Sequence, residues 1–319
     1  MFLVCGEALF DLFPEDDTSF GSVKFDARAG GSPFNVAIGL ARLSVPAALL
    51  TGISRDVLGE KLAAVLAHEC VSTDYLIRSG RRTTLSLVGL DSSGSPSYSF
   101  YGIGSADCGV KFKHIPTIGD EIKGLHFGSY STVVRPVARA FTRLARKQNK
   151  KFISYDPNIR LTIEPDLDVW RSGVKGFAKC ADIIKISRED YDLLYSNKNP
   201  EIKVQQWFNY GVKLVILTDG GEQIKAWSYR GFELNAKPPG FKVVDTVGAG
   251  DTFQAAILKC LLEYENPKQA VNTIGQSDLN AILNYAATAA ALTCTRRGAD
   301  LPTLAEMNSV MRGNSKTMD

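Results

Sequence analysis

From residue 120 onward the chain alternates short apolar runs with amphipathic ones. "GLHFGSY" and "KFISYDPN" read as strands around the helical "RPVARAFTRLARKQ"; "ADIIKIS" and "VKLVILTDGG" are further strands, with "REDYDLLY" and a helix containing Trp207 between them. Strand-helix alternation of this kind predicts an α/β fold: a mostly parallel sheet with helices on both faces, since parallel neighbours need long crossovers. Upstream, "FLVCGEA" reads as a buried first strand ending at Gly6, and "SPFNVAIGLARLS" as a helix capped by Ser32, with Pro33 in its first turn and Val36, Leu40 and Leu43 on one face. "AALLTGIS" and "DVLGEKLAAVLAHEC" read as a strand and a helix. "RRTTLSLVGLDSSGSPSYSFYG" alternates around a Ser-Ser-Gly turn, which predicts a hairpin outside the parallel scheme. With residues near 12–27, the 80–103 segment is expected to form a small antiparallel lid on a single domain spanning 1–319. The C-terminal third is mostly helical, through "SDLNAILNYAATAAALTCT".

Composition excludes several classes of function. The 37 Lys and Arg nearly balance 34 Asp and Glu, so no footprint for nucleic acid or an acidic membrane is expected, and the ligand should be small. Six cysteines at 5, 70, 108, 180, 260 and 294 lack CxxC pairing and nearby histidines, which reads as reduced thiols rather than zinc ligands or disulfides. The first residues, "MFLVCGEALFDLFP", show no basic leader and too short an apolar run for a signal peptide, so a cytoplasmic protein is expected.

Chemistry concentrates in a few loops. In "KVVDTVGAGDTFQAAILKCLLEY", Asp245 and Asp251 bracket Gly248, Ala249 and Gly250, directly before a strongly apolar helical run. Two glycines let successive N–H groups converge at a helix start, where anions are favoured. A carboxylate beside such a hole suits phosphoryl transfer to an alcohol: Asp251 takes the hydroxyl proton while the amides hold phosphoryl oxygens. The plain alternative is a tight turn with an acid in the first helical turn. Neither GxxxxGK[ST] nor GxGxxG occurs. "AGGSPFN" supplies a second loop, in which Gly30 and Gly31 permit close backbone approach and the Asn35 amide can pair with sugar hydroxyls; a capped glycine turn is the alternative. Asp11, just past the first strand, is an acceptor for two hydroxyls or a solvated loop acid.

These stretches resemble a known family. "AGGSPFNVAIGLARL" is similar to the N-terminal signature of the PfkB, or ribokinase-like, carbohydrate kinases, and "DTVGAGDTF" to their C-terminal signature, in the same order and at a matching separation. The similarity runs from "GEALFDLFP" to "CTRRGA", and "PSYSFYGIGSAD" and "YDPNIR" resemble bacterial fructokinases most. The resemblance implies a three-layer α/β/α domain with a β-lid over the sugar, ATP across the C-terminal half, and magnesium. It implies Asp251 as base, Gly248, Ala249 and Gly250 as anion hole, and Asp11, Gly30, Gly31 and Asn35 as sugar ligands. Arg160 of "DPNIR" would approach the transferring phosphate; a surface ion pair is its plain reading. In "KISRED", Ser187 and Asp190 stand where many relatives carry asparagine and glutamate, which puts the magnesium network in doubt, although Lys185 and Glu189 keep the polarity. A capped helix start explains that stretch equally. "LTDGGEQ" resembles a nucleotide-binding turn, making Thr218 and Gly220 candidates for ATP phosphates. Tyr98, Phe100 and Tyr101 would form an aromatic wall against the sugar when the lid closes. Asp245, the Val247 backbone and Gly298 resemble a potassium site. The expected reaction is D-fructose to fructose 6-phosphate. Phosphorylation of 2-keto-3-deoxygluconate, ribose or a nucleoside, or a silent sensor on the same fold, are the alternatives; a homodimer through the lid is also expected.

Overall fold

The computed structural model describes residues 1–15, 21–90, 96–196 and 198–315. The chain opens with β1 (Phe2–Cys5), β2 (Leu9–Pro14) and β3 (Phe25–Gly30), then passes through α1 (Ser32–Arg42), β4 (Ala47–Ser54), α2 (Val57–His68) and β5 (Leu76–Ser79). The hairpin β6 (Thr84–Leu90) and β7 (Pro96–Tyr101) follows. Next come β8 (Gly124–Gly128), α3 (Val137–Lys147), β9 (Phe152–Asp156), α4 (Leu167–Ala178), β10 (Ile183–Ser187), α5 (Arg188–Tyr195), α6 (Pro200–Tyr210) and β11 (Leu214–Asp219). A second hairpin, β12 (Gln223–Ser228) and β13 (Phe232–Ala236), precedes α7 (Ala249–Leu262), α8 (Pro267–Thr273), α9 (Gln276–Thr293) and α10 (Leu304–Ser315).

The large sheet has the order β13-β12-β11-β10-β9-β8-β1-β4-β5. Its pairs from β5 to β11 are parallel, and the β12–β13 hairpin adds an antiparallel edge. Residues of β1 alternate between two cores: Phe2 and Val4 join the layer of α1, α7 and α9, while Leu3 and Cys5 join that of α3 and α4. Burial on both faces explains why these strands read as continuous apolar runs. From β1 the chain winds one way through β4 and β5, and from β8 the other way to β11. The switch point therefore lies between β1 and β8, where a crevice opens at the carboxyl ends of the strands.

The second sheet has the order β3-β2-β6-β7. Its outer pairs are antiparallel, and its central β2–β6 pair is parallel. The strands of this sheet are Leu9–Pro14, Phe25–Gly30, Thr84–Leu90 and Pro96–Tyr101. The Ser-Ser-Gly turn, residues 16–20 and the Tyr98 side chain lie outside the described residues. Two local expectations change. Gly31, not Ser32, is the N-cap of α1, so Ser32 sits inside the first turn. Asp11 is no loop acid but lies within β2, paired with Arg28 on one side and Ser86 on the other. All six cysteines are free thiols. Among the described residues no helix is long and apolar enough to cross a membrane.

Candidate active site

The glycine loop does form a helix start. Gly248 is the N-cap of α7 with φ 79°, a left-handed conformation, and an added Cβ would stand 2.6 Å from Ala299 Cβ. Glycine is required there on both counts. No side chain caps the helix. The Ala249 N–H is given to Thr246 O at 3.2 Å, so an anion cradle rests on the amides beyond Ala249. Two residues further on, Asp251 is only 7% exposed. Packing of α1 against α7 brings Asn35 to it: Asn35 Nδ2 donates to Asp251 Oδ2 at 2.8 Å. Burial raises the Asp251 pKa, while the Ser32 hydroxyl, the Asn35 amide and the charges of Lys185 and Arg160 pull it back.

Lys185 projects from β10 on the side that faces α7, in the row of Ile183. It is buried, and its Nζ donates to Asp156 Oδ2 at 2.9 Å. The same Nζ lies 3.2 Å from the position a Gly250 Cβ would take, so the ammonium sits directly beneath the glycine loop. Burial works to lower the Lys185 pKa, but Asp156, Asp190 and Asp251 outweigh it and keep the group charged. Asp190 is buried, accepts from Ile159 N at 3.1 Å, and has its pKa pushed up to about 6 by burial and by the neighbouring Asp156 charge. Asp156 Oδ1 is buried without a hydrogen-bond partner among the described residues. Ser187 does what a capped helix start requires: its Oγ accepts from Asp190 N at 3.0 Å and opens α5.

Arg160 is exposed and donates Nη1 to Ile159 O at 2.8 Å. Its charge acts on Glu7, Asp11, Asp190 and Asp251, so one cation serves four acids around the crevice. On the lid, strand register places Asp11, Ser86 and Phe100 in one row on one face. Burial raises the Asp11 pKa, and Ser86 and Arg160 oppose the rise. An added Cβ at Gly30 would lie 2.9 Å from Asp11 Oδ2. Gly31, at φ 107°, packs against Glu7. Phe100 meets Tyr130 edge-on with centroids 5.2 Å apart. Tyr101 does not share that wall: adjacent strand residues face opposite sides, and Tyr101 is 62% exposed.

Thr218 is the penultimate residue of β11, beside Ser187 of β10, and Gly220, at φ 48°, turns the chain into β12. Asp245 staples two loops, accepting from Val247 N at 3.0 Å and from Gly298 N at 2.8 Å. Four buried acids escaped sequence reasoning: Asp182, paired with Lys268, and Glu7, Asp107 and Asp156. Asp156 stands in "YDPNIR" and Asp107 ends "PSYSFYGIGSAD", but neither stretch shows that its acid is buried. Glu7 had a signal in "GEALFD", where it stands one turn of loop ahead of Asp11, but its burial could not be read there.

A crevice at the switch point, a glycine helix start and a carboxylate flanked by Lys185 and Arg160 define a site for transfer of an anionic group. Residues 2–306 match the family described as pfkB family carbohydrate kinase, and the chain belongs to that family. It is 37% identical over 262 residues to a fructokinase from Rhizobium leguminosarum bv. trifolii, covering 82% of this chain and 79% of the relative. A crystal structure of fructokinase with bound ATP from Xylella fastidiosa superposes with a TM-score of 0.88 at 25% identity, covering 98% of each chain. A double mutant of fructokinase from Vibrio cholerae O395, in fructose, ADP and potassium ion bound form, gives 0.83 at 25% identity, covering 97% of this chain and 98% of that one.

Proposed function

We propose that this chain is an ATP-dependent fructokinase that phosphorylates a primary hydroxyl of D-fructose. The observation that carries the reading is the Asp251 carboxylate, buried at the start of α7 beside the Lys185 ammonium. Relatives that are fructokinases, one with fructose and ADP bound, support the substrate.

In this reading Asp251 accepts the proton of the sugar hydroxyl, and the resulting oxygen bonds to the γ-phosphorus as the bond to the ADP oxygen breaks. In a loose transition state the proton leaves late, so a carboxylate of modest basicity suffices. Asn35 holds that carboxylate by one oxygen and leaves the other for the hydroxyl. The amides after Ala249, with Lys185 beneath them, stabilise charge on the phosphoryl oxygens, and Arg160 bridges two of those oxygens with its guanidinium. Asp11, Gly30 and Gly31 hold the sugar, with Phe100 across the lid; Thr218 and Gly220 lie along the nucleotide. Asp156, whose Oδ1 has no hydrogen-bond partner among the described residues, and the neighbouring Asp190 are the carboxylates that would hold magnesium. Magnesium held there would neutralise phosphate charge. Asp245, the Val247 carbonyl and Gly298 are the residues that would hold potassium, if the enzyme takes it.

Asp251→Asn should keep ATP affinity while lowering kcat with fructose by at least about a hundredfold. Turnover close to wild type in that variant would remove Asp251 from its role. A panel of sugars and nucleosides with ADP detection tests the substrate: fructose should give the highest kcat/KM, and a clear preference for another acceptor would reassign it. We also infer a homodimer through the lid, which exposes Phe25, Tyr101 and Ile103; a monomer in sedimentation velocity at micromolar concentration would end that part of the proposal.

A further inference from the structure

The outer face of α3 carries charge for which phosphoryl transfer has no use. Its eleven residues include no acid but do include Arg139, Arg143, Arg146 and Lys147. With Arg135 just ahead of the helix, four arginines line a groove of about 670 Å³ between α3 and α4. All four are exposed. Arg143 lies over the Phe112 ring at 4.2 Å, and none of the four has an ion-pair partner among the described residues. Like charges one turn apart destabilise a helix by a few tenths of a kcal/mol per pair, and within α3 Arg139 and Arg143 stand at i,i+4 and Arg143 and Arg146 at i,i+3.

The acids that line the groove, Asp166 and Asp168, stand together at the start of α4 and are already engaged. Asp166 accepts from Asp168 N at 2.8 Å, and Asp168 pairs with Arg171 at 2.6 Å. The α4 wall contributes Gly173 and Gly176. A side chain at Gly173 would meet Val133 at 2.8 Å, so packing explains that glycine. Gly176 has nothing within 4 Å of an added Cβ. An interior helix glycine costs about 1 kcal/mol relative to alanine, and here the missing side chain gives only room.

Aligned like charges and an uncrowded helix glycine thus converge on one groove, on the sheet face opposite to α7. We infer that this groove binds a small phosphorylated anion with two or more negative charges, at a site separate from the catalytic crevice. Guanidinium forks grip phosphate oxygens in pairs, and arginines one turn apart can hold two phosphate groups. The volume lies within the range of small-molecule sites. Asp166 and Asp168 close one end with negative charge, which opposes a long polyanion running through.

Pyrophosphate is the probe. Calorimetric titration uses the full chain with its catalytic site saturated by fructose and a non-hydrolysable ATP analogue. Wild type should bind pyrophosphate in the submillimolar range, more weakly as salt is added. The Arg135→Gln/Arg139→Gln variant should lose at least about tenfold in affinity while its fructose phosphorylation without pyrophosphate stays unchanged. Equal binding by the two proteins, or none by saturated wild type, overturns the proposal. So does binding of an acidic peptide or RNA in place of pyrophosphate.

Discussion

Single residues at the candidate site work under two constraints, burial and charge. Lys185 illustrates both: it is 3% exposed, yet three carboxylates hold it in the charged form. An ammonium so placed under a glycine loop leaves no space for larger residues above it. Gly248 is the most constrained position, because its left-handed backbone costs a non-glycine residue about 1–2 kcal/mol before any clash with Ala299. Gly248→Ala should therefore lower both the melting temperature and kcat, with the larger loss in kcat as the amides behind it shift. A variant that melts lower but turns over normally would show that the loop geometry serves folding alone. At this scale the sequence was informative wherever a motif surrounded the residue. Asp251 and Asn35 were named from their loops, but their 2.8 Å hydrogen bond across 216 residues of chain was not visible. Glu7, Asp156 and Asp107 stand in stretches that were read, but were missed because the burial of an acid is set by its tertiary neighbours and not by the residues beside it in sequence.

Among elements, the lid depends on a buried knot at its base. Asp107 Oδ1 accepts from Thr84 Oγ1 at 2.5 Å and from Ser105 Oγ at 2.6 Å, and Oδ2 accepts from Tyr130 OH at 2.6 Å. Thr84 opens β6, Ser105 follows β7, and Tyr130 bears on Phe100, so one carboxylate ties both ends of the hairpin to the core. An amide cannot accept all three hydroxyls with equal geometry. Asp107→Asn should raise the KM for sugar by roughly tenfold, a hydrogen-bond-sized loss. It should also raise ATP hydrolysis without sugar, because a loosened lid admits water. A lower melting temperature with an unchanged ratio of hydrolysis to transfer would reduce Asp107 to a structural role. Elements with a strong period were legible: β4 occupies Ala47–Ser54, the full "AALLTGIS" run, with every residue buried. The β12–β13 hairpin and β5 were not: β13 and β5 are edge strands, β13 exposing alternate positions in "FELNA", and these short strands, with "QIKAWS" of β12, mix polar with apolar residues and carry little apolar signal. The parallel β2–β6 pair was hidden for another reason: register between distant strands leaves no local trace.

For the whole molecule, the buried acids make stability a function of pH, and Glu7 gives the largest effect that can be isolated. It is 1% exposed, its Oε2 has no hydrogen-bond partner among the described residues, and burial raises its pKa from 4.5 to about 8, against opposing contributions from Ser129 and Arg160; the Asp107 charge adds to the rise. Between about pH 4.5 and about pH 8 the folded chain holds a proton that the unfolded chain has released. Folding stability therefore falls as pH rises through that window and levels off above it, by an amount on the order of a few kcal/mol. Asp190, raised to about 6, adds a smaller decline in the same direction. His126, buried and pushed down to about 3, acts oppositely: its burial destabilises the fold below the ordinary imidazole range and is relieved as pH rises. These contributions are shared by wild type and Glu7→Gln, so the difference between their unfolding free energies isolates Glu7. Urea unfolding across the window should give curves that diverge with rising pH, the glutamine variant becoming relatively more stable toward pH 8. Parallel curves would mean that Glu7 ionises in the folded state as readily as in the unfolded one, and that the crevice beside Gly31 is wet rather than closed.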